Sequence, residues 1–99
     1  MVKIFHHQEE VEAQAEIKNT GTQSLNLELT FRLLRGSQVM GRMVYELALS
    51  PNQSDFALGF FKMEDSYPFQ TYEIEFFVKD LDTNELYAKA EEYFELQSY

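Results

Sequence analysis

The chain has 99 residues, 44% of them hydrophobic, with 17 acidic against 8 basic side chains and a formal charge of −9. That length and apolar content suit one domain with a single core, and the absence of cysteine means no disulfide is needed to hold it. Nucleic acid and anionic membranes are poor partners for so acidic a surface, because phosphate is bound through clustered Lys and Arg.

No stretch approaches the roughly 18 continuous apolar residues of a membrane helix. The start, Met1 to Glu10, lacks the apolar run of a secretory signal, so a cytoplasmic location is expected. A short first strand is expected near Val2 to Phe5. A second spans Glu10 to Lys18, with Val11, Ala13, Ala15 and Ile17 inward. The Asn19-Thr20-Gly21-Thr22 turn cluster ends it.

The third strand, Ser24 to Leu34, has the clearest two-residue alternation. Leu25, Leu27, Leu29, Phe31 and Leu33 fall on one face; Asn26, Glu28, Thr30 and Arg32 fall on the other. Arg35-Gly36-Ser37 is a tight hairpin turn. The fourth strand, Gln38 to Leu49, sets Val39, Gly41, Met43, Tyr45 and Leu47 on one face. Ser50-Pro51-Asn52-Gln53-Ser54 turns the chain into a fifth strand, Asp55 to Met63. After Glu64 to Pro68, the sixth strand runs Thr71 to Lys79 with the same alternation as the third.

The seventh segment, Glu85 to Leu96, reads two ways. It is rich in helix formers, and Asp82 with Glu85 imitates a capping box. Strand spacing puts Leu86, Ala88, Ala90, Phe94 and Leu96 inward, with Glu92 the one violation. A strand is favoured because it pairs with the sixth across the short Asp80 to Asn84 turn. Core aromatics are expected at Phe31, Phe56, Phe60, Tyr72, Phe76 and Phe94. The spacing of elements gives an all-β antiparallel sandwich of about seven strands, in one domain covering residues 1–99.

Three local features resemble immunoglobulin-like and fibronectin type III-like sandwiches, especially bacterial ones. They are Ile17-Lys18-Asn19-Thr20-Gly21 before a strand carrying Leu27, Leu29 and Phe31; Leu49-Ser50-Pro51-Asn52-Gln53-Ser54 before a short strand; and Tyr72-Glu73-Ile74-Glu75-Phe76 ending at Asp80. The resemblance is to a broad group that includes bacterial cell-adhesion-related modules and the intracellular proteinase inhibitor of bacilli. It implies an immunoglobulin-like fold, a role in binding or spacing, and a corner tyrosine at Tyr72 tying the connection before the sixth strand. The Cys-Trp-Cys signature of antibody domains is missing, since the chain has neither residue.

Chemistry finds few candidates, and the chain is not expected to be an enzyme. His6 and His7 are adjacent, so on a strand they face opposite ways and cannot grip one metal together. No zinc-protease, nucleophile-elbow or phosphate-loop pattern occurs. No cofactor or metal is expected. The weak metal candidate is Asp80, Asp82 and Asn84, which match the first oxygen ligands of a calcium loop, with Glu91 at the last position. Glu85 stands where that loop requires glycine. A polar turn is the plainer reading.

The expected site is a surface patch. If the third, fourth, sixth and seventh strands share a sheet, its outer face carries Leu34, Met40, Val44, Phe77, Tyr87 and Tyr93, edged by Glu73, Glu75 and Glu91. Apolar anchors with a charged rim are typical of protein interfaces. The expected function is therefore a non-catalytic module that binds a protein partner or a second copy. Two alternatives stand beside it: an acidic inhibitor of a protein target, proteinase inhibitor-like or phage-encoded, and a structural or assembly component.

Overall fold

The computed structural model describes residues 3–98, so the Val2 expected in the first strand and the terminal Tyr99 lie outside the described residues. Seven strands follow in chain order: β1 (Lys3–Phe5), β2 (Glu10–Lys18), β3 (Leu25–Arg35), β4 (Gln38–Leu49), β5 (Ser54–Lys62), β6 (Thr71–Asp80) and β7 (Leu86–Leu96). They form a β-sandwich. One sheet has five strands in the order β1-β7-β6-β3-β4, and the other pairs β2 with β5. Every pairing is antiparallel except β1 with β7. Among the described residues there is no helix long and apolar enough to cross a membrane.

The alternation in β3 and β6 explains their central place. Leu27, Leu29, Phe31 and Leu33 from β3, and Tyr72, Ile74, Phe76 and Val78 from β6, are all buried against the small sheet. Each such large side chain contributes about 1.5–3 kcal/mol by leaving water. Phe31 and Phe76 sit at 4.6 Å between ring centroids in the middle of this layer.

β7 is a strand despite its helix formers, because it pairs along β6 from Thr71↔Glu95 to Lys79↔Leu86. Its Glu92, the one polar residue on the inward phase, stays at the surface and pairs with Lys3 at 2.9 Å. The Tyr72 hydroxyl donates to the Pro68 carbonyl at 2.6 Å and ties down the connection into β6. At the opposite end, buried Asn19 donates to the Gln23 and Leu49 carbonyls and accepts from the Gly21 N–H, joining the two layers. β3 turns into β4 through Gly36 and Ser37, with Gly36 at φ +60° as a two-residue hairpin turn requires.

Three expectations need correction. Phe56 and Phe60 are not core residues; they are 55% and 39% exposed. The inward phase of β5 belongs to Ala57, Gly59 and Phe61. Phe31 decides this from the opposite sheet. Its ring lies so close over Gly59 that a Cβ there would stand 2.6 Å from Cγ, leaving no room for a larger residue.

The other two corrections come from β-bulges. In β4 the register jumps so that Leu33 faces Gly41 while Leu34 faces Val39, and Met40 is the extra residue. Met40 therefore packs against the core, and Val39 moves to the outer face. In β7 the register jumps so that Val78 faces Ala88 while Lys79 faces Leu86, and Tyr87 is the extra residue. Leu86, expected inward, is 56% exposed. A bulge inserts one residue and flips the faces of those beyond it.

Candidate functional site

The outer face of the large sheet is built around Phe77. Cross-strand pairing sets Thr30 between Val44 and Phe77, Arg32 between Arg42 and Glu75, and Leu34 between Val39 and Glu73. On the other side Phe77 faces Lys89, Glu75 faces Glu91, and Glu73 faces Tyr93. This brings Leu34, Val44, Phe77, Tyr93 and the three glutamates onto one surface. It does not bring Met40 or Tyr87, which the bulges have removed.

Ion pairs close much of that surface. Glu75, with its side chain only 8% exposed, accepts from both Nε and Nη2 of Arg32, and its other oxygen lies 3.4 Å from Lys89 Nζ. The Arg32 guanidinium is 4.9 Å from the Phe77 ring centre and the Lys89 ammonium 5.7 Å. Two cations thus lie over the expected central anchor, an arrangement favourable in itself. Leu34 is buried, leaving Val44 and Tyr93 exposed.

Glu73, Glu75 and Glu91 each offer a carboxylate oxygen within 4.8 Å of the others. Lys89 reaches Glu91 at 3.5 Å as well as Glu75, so the cluster already holds its counter-charges. Desolvation holds Glu73 above the usual carboxylate range, and its hydrogen bond with Glu91 adds to this. Glu91 is held below that range by the same bond and by the Tyr93 hydroxyl.

The weak metal candidate is a turn. Asp80 is buried; its Oδ1 accepts from the Asp82 and Thr83 N–H groups, and its Oδ2 accepts the Tyr87 hydroxyl. The Tyr87 bond is the largest cause of its lowered pKa. Asn84 takes a left-handed φ of 64°, and its N–H closes back on the Asp80 carbonyl. The histidines are also tied to backbone: His6 Nδ1 to the Gln97 carbonyl and His7 Nε2 to the Tyr67 carbonyl, both at 2.8 Å.

The residues missed by the sequence reading are on the other sheet. Phe56, Leu58 and Phe60 project in a row from β5 to solvent, 55%, 38% and 39% exposed. Directly beside them on β2 stand their cross-strand partners Glu16, Gln14 and Glu12. The result is an apolar stripe along an acidic one. A signal for it existed: Phe56-Ala57-Leu58-Gly59-Phe60-Phe61 is apolar on both phases, although its sheet has a partner layer on only one side.

No family model matches this chain, and no curated protein matches it. Its fold is similar to that of part of two solved structures. One is a β-glucuronidase of Bacteroides uniformis, with a TM-score of 0.76 and 16% identity over 88% of this chain and 12% of that one. The other is β-glucuronidase 2 of Bacteroides uniformis covalently bound to cyclophellitol-6-carboxylate aziridine, with a TM-score of 0.73, 16% identity and the same coverage. The likeness is one of fold, and it spans about an eighth of those longer proteins.

Proposed function

We propose that this chain is a non-catalytic protein-interaction module, of immunoglobulin-like type, that docks through the outer face of the β2–β5 sheet. The observation that carries this is the exposed row of Phe56, Leu58 and Phe60. Large aromatic side chains in solvent are the usual anchors of an interface. Glu12 and Glu16 border the row on β2. They favour a partner with an apolar hollow flanked by Lys or Arg, speed its encounter, and disfavour acidic proteins. The aromatic and acidic character expected of the binding face is kept, but on the small sheet.

The test is affinity capture from a lysate of the source organism with three baits: wild type, Phe77→Ala, and the double variant Phe56→Ser with Phe60→Ser. The double variant replaces exposed residues, and its circular dichroism melt checks that it folds. A stoichiometric partner held by wild type and by Phe77→Ala in high salt, and lost with the double variant, supports the proposal. A partner lost only with Phe77→Ala returns the site to the large sheet. Loss from every bait in high salt favours an inhibitor acting through its acidic field.

A further inference from the structure

The two seams of the sandwich are finished differently. Along the β4–β5 seam, side chains of β4 meet the free edge of β5: the Leu58 N–H donates to the Tyr45 hydroxyl at 2.9 Å and the Phe60 N–H to the Met43 sulfur at 3.2 Å. Along the opposite seam no such closure joins β2 to β7 among the described residues. Among the described residues β2 pairs with β5 alone, β7 meets β1 from Phe94 to Leu96, and Leu86 to Tyr93 pair with β6 alone.

The bonding phase of β2 shows what its free edge offers. Met63 N–H donates to the Glu9 carbonyl and Asn19 N–H to the Gln53 carbonyl, so odd-numbered residues bond to β5. The N–H and C=O groups of Glu10, Glu12, Gln14 and Glu16 therefore point away from β5, towards the open seam. Beneath lies an apolar trough. Ala13 and Ala15 on β2 line one opening with Ala90 on β7, Ala88 lines the next, and buried Phe76 and Val78 form the floor beneath these small side chains. Two openings of about 620 and 380 Å³ share Phe76 in their walls.

We propose that β2 accepts an added strand from another protein, an extended segment in which apolar and basic residues alternate. Its apolar side chains fill the trough over Ala88 and Ala90, and its backbone takes the free bonds of β2. Its basic side chains lie beside Glu10, Glu12 and Glu16, where opposite charges on neighbouring strands attract. A second copy of this chain is a poor occupant, because each copy carries a charge of −9. The glutamates thus bar pairing between copies and select a basic strand. This surface adjoins the Phe56–Phe60 row along β2 and shares Glu12 and Glu16 with it.

The probes are three blocked octapeptides: alternating valine and lysine, the same composition as four valines followed by four lysines, and alternating valine and glutamate. Binding is followed by NMR titration and amide exchange. The alternating lysine peptide is expected to bind at least about tenfold tighter than either other peptide, and to slow exchange at Glu12, Gln14 and Glu16. Ala88→Trp fills the trough, and Gln14→Pro removes one outward N–H without touching a bond to β5. Each should weaken binding by about threefold or more. Equal binding of the two lysine peptides, protection confined to the outer face of the large sheet, or indifference to both seam variants overturns the proposal. So does protection of β2 that needs no peptide and grows with protein concentration, which would assign the edge to a second copy.

Discussion

Substituting Gly59 by alanine tests the inward and outward phases of β5, and with them the exposed aromatic row. A Cβ at position 59 would stand 2.6 Å from Phe31 Cγ, 2.9 Å from Cδ1 and 3.0 Å from Cδ2. Carbon contacts settle near 3.5–4.0 Å, so about 1 Å must be recovered by movement. Phe31 is 1% exposed and rests on Phe76, which leaves its ring little room to retreat. Overpacking of this kind costs about 1–3 kcal/mol, and the stiffer unfolded chain returns about 0.4–1 kcal/mol. The expected net loss is about 1–2 kcal/mol, a fall in Tm of roughly 5–15 °C for a domain of this size. Thermal and urea denaturation would measure it. In the double variant with Phe31→Leu, part of the Gly59→Ala penalty should disappear. With the opposite phase, Gly59 would face solvent and alanine would stabilise the strand by about 0.5–1 kcal/mol. A neutral or stabilising Gly59→Ala therefore refutes the packing and removes Phe56, Leu58 and Phe60 from the surface.

Glu75→Ala leaves Arg32 and Lys89 over Phe77 without their shared carboxylate. Because both cations are partly in water, the expected loss is about 1–2 kcal/mol rather than that of a fully buried pair, read by urea denaturation with an unchanged m-value. Glu73 binds its proton more tightly in the folded chain than in the unfolded one, so its contribution is complete in acid and is lost as pH rises through its raised pKa. Glu91 runs the other way, contributing above the ordinary glutamate range and losing that contribution as pH falls through its lowered pKa. Glu73→Gln stays neutral throughout, so its Tm should exceed that of wild type near neutral pH and approach it in acid; a difference that ignores pH refutes this account. Millimolar calcium should leave Tm unmoved, since both Asp80 oxygens already accept protein donors, and a clear rise would show that the turn opens to take the ion.

The strands were legible because alternation is local. Leu25 to Leu33 and Tyr72 to Val78 announce both their conformation and their buried face. The candidate site was less legible, because it depends on events between strands. Nothing in Gln38-Val39-Met40-Gly41 or Leu86-Tyr87-Ala88 marks a bulge, yet one extra residue in each place exchanged Val39 for Met40 and Leu86 for Tyr87. In β5 the hydrophobic choice would have buried Phe56, Leu58 and Phe60. Size complementarity with Phe31, on a strand distant in sequence, buried Ala57 and Gly59 instead. The ions over Phe77 were equally hidden, since Arg32, Glu75 and Lys89 belong to three strands.

The pairing of β2 with β5 also bears on how the chain reaches its fold. β3 with β4, and β6 with β7, are hairpins that close across short turns. β2 and β5 are separated by the whole β3–β4 hairpin and can pair only after it has crossed to the other layer. Contacts of that kind form late. Until they do, Phe56 to Phe61 is an uncharged, aromatic six-residue stretch without its strand partner, the composition that nucleates aggregates. This adhesive segment thus gains its strand partner late, and mutual repulsion between chains of charge −9 keeps them apart during that interval.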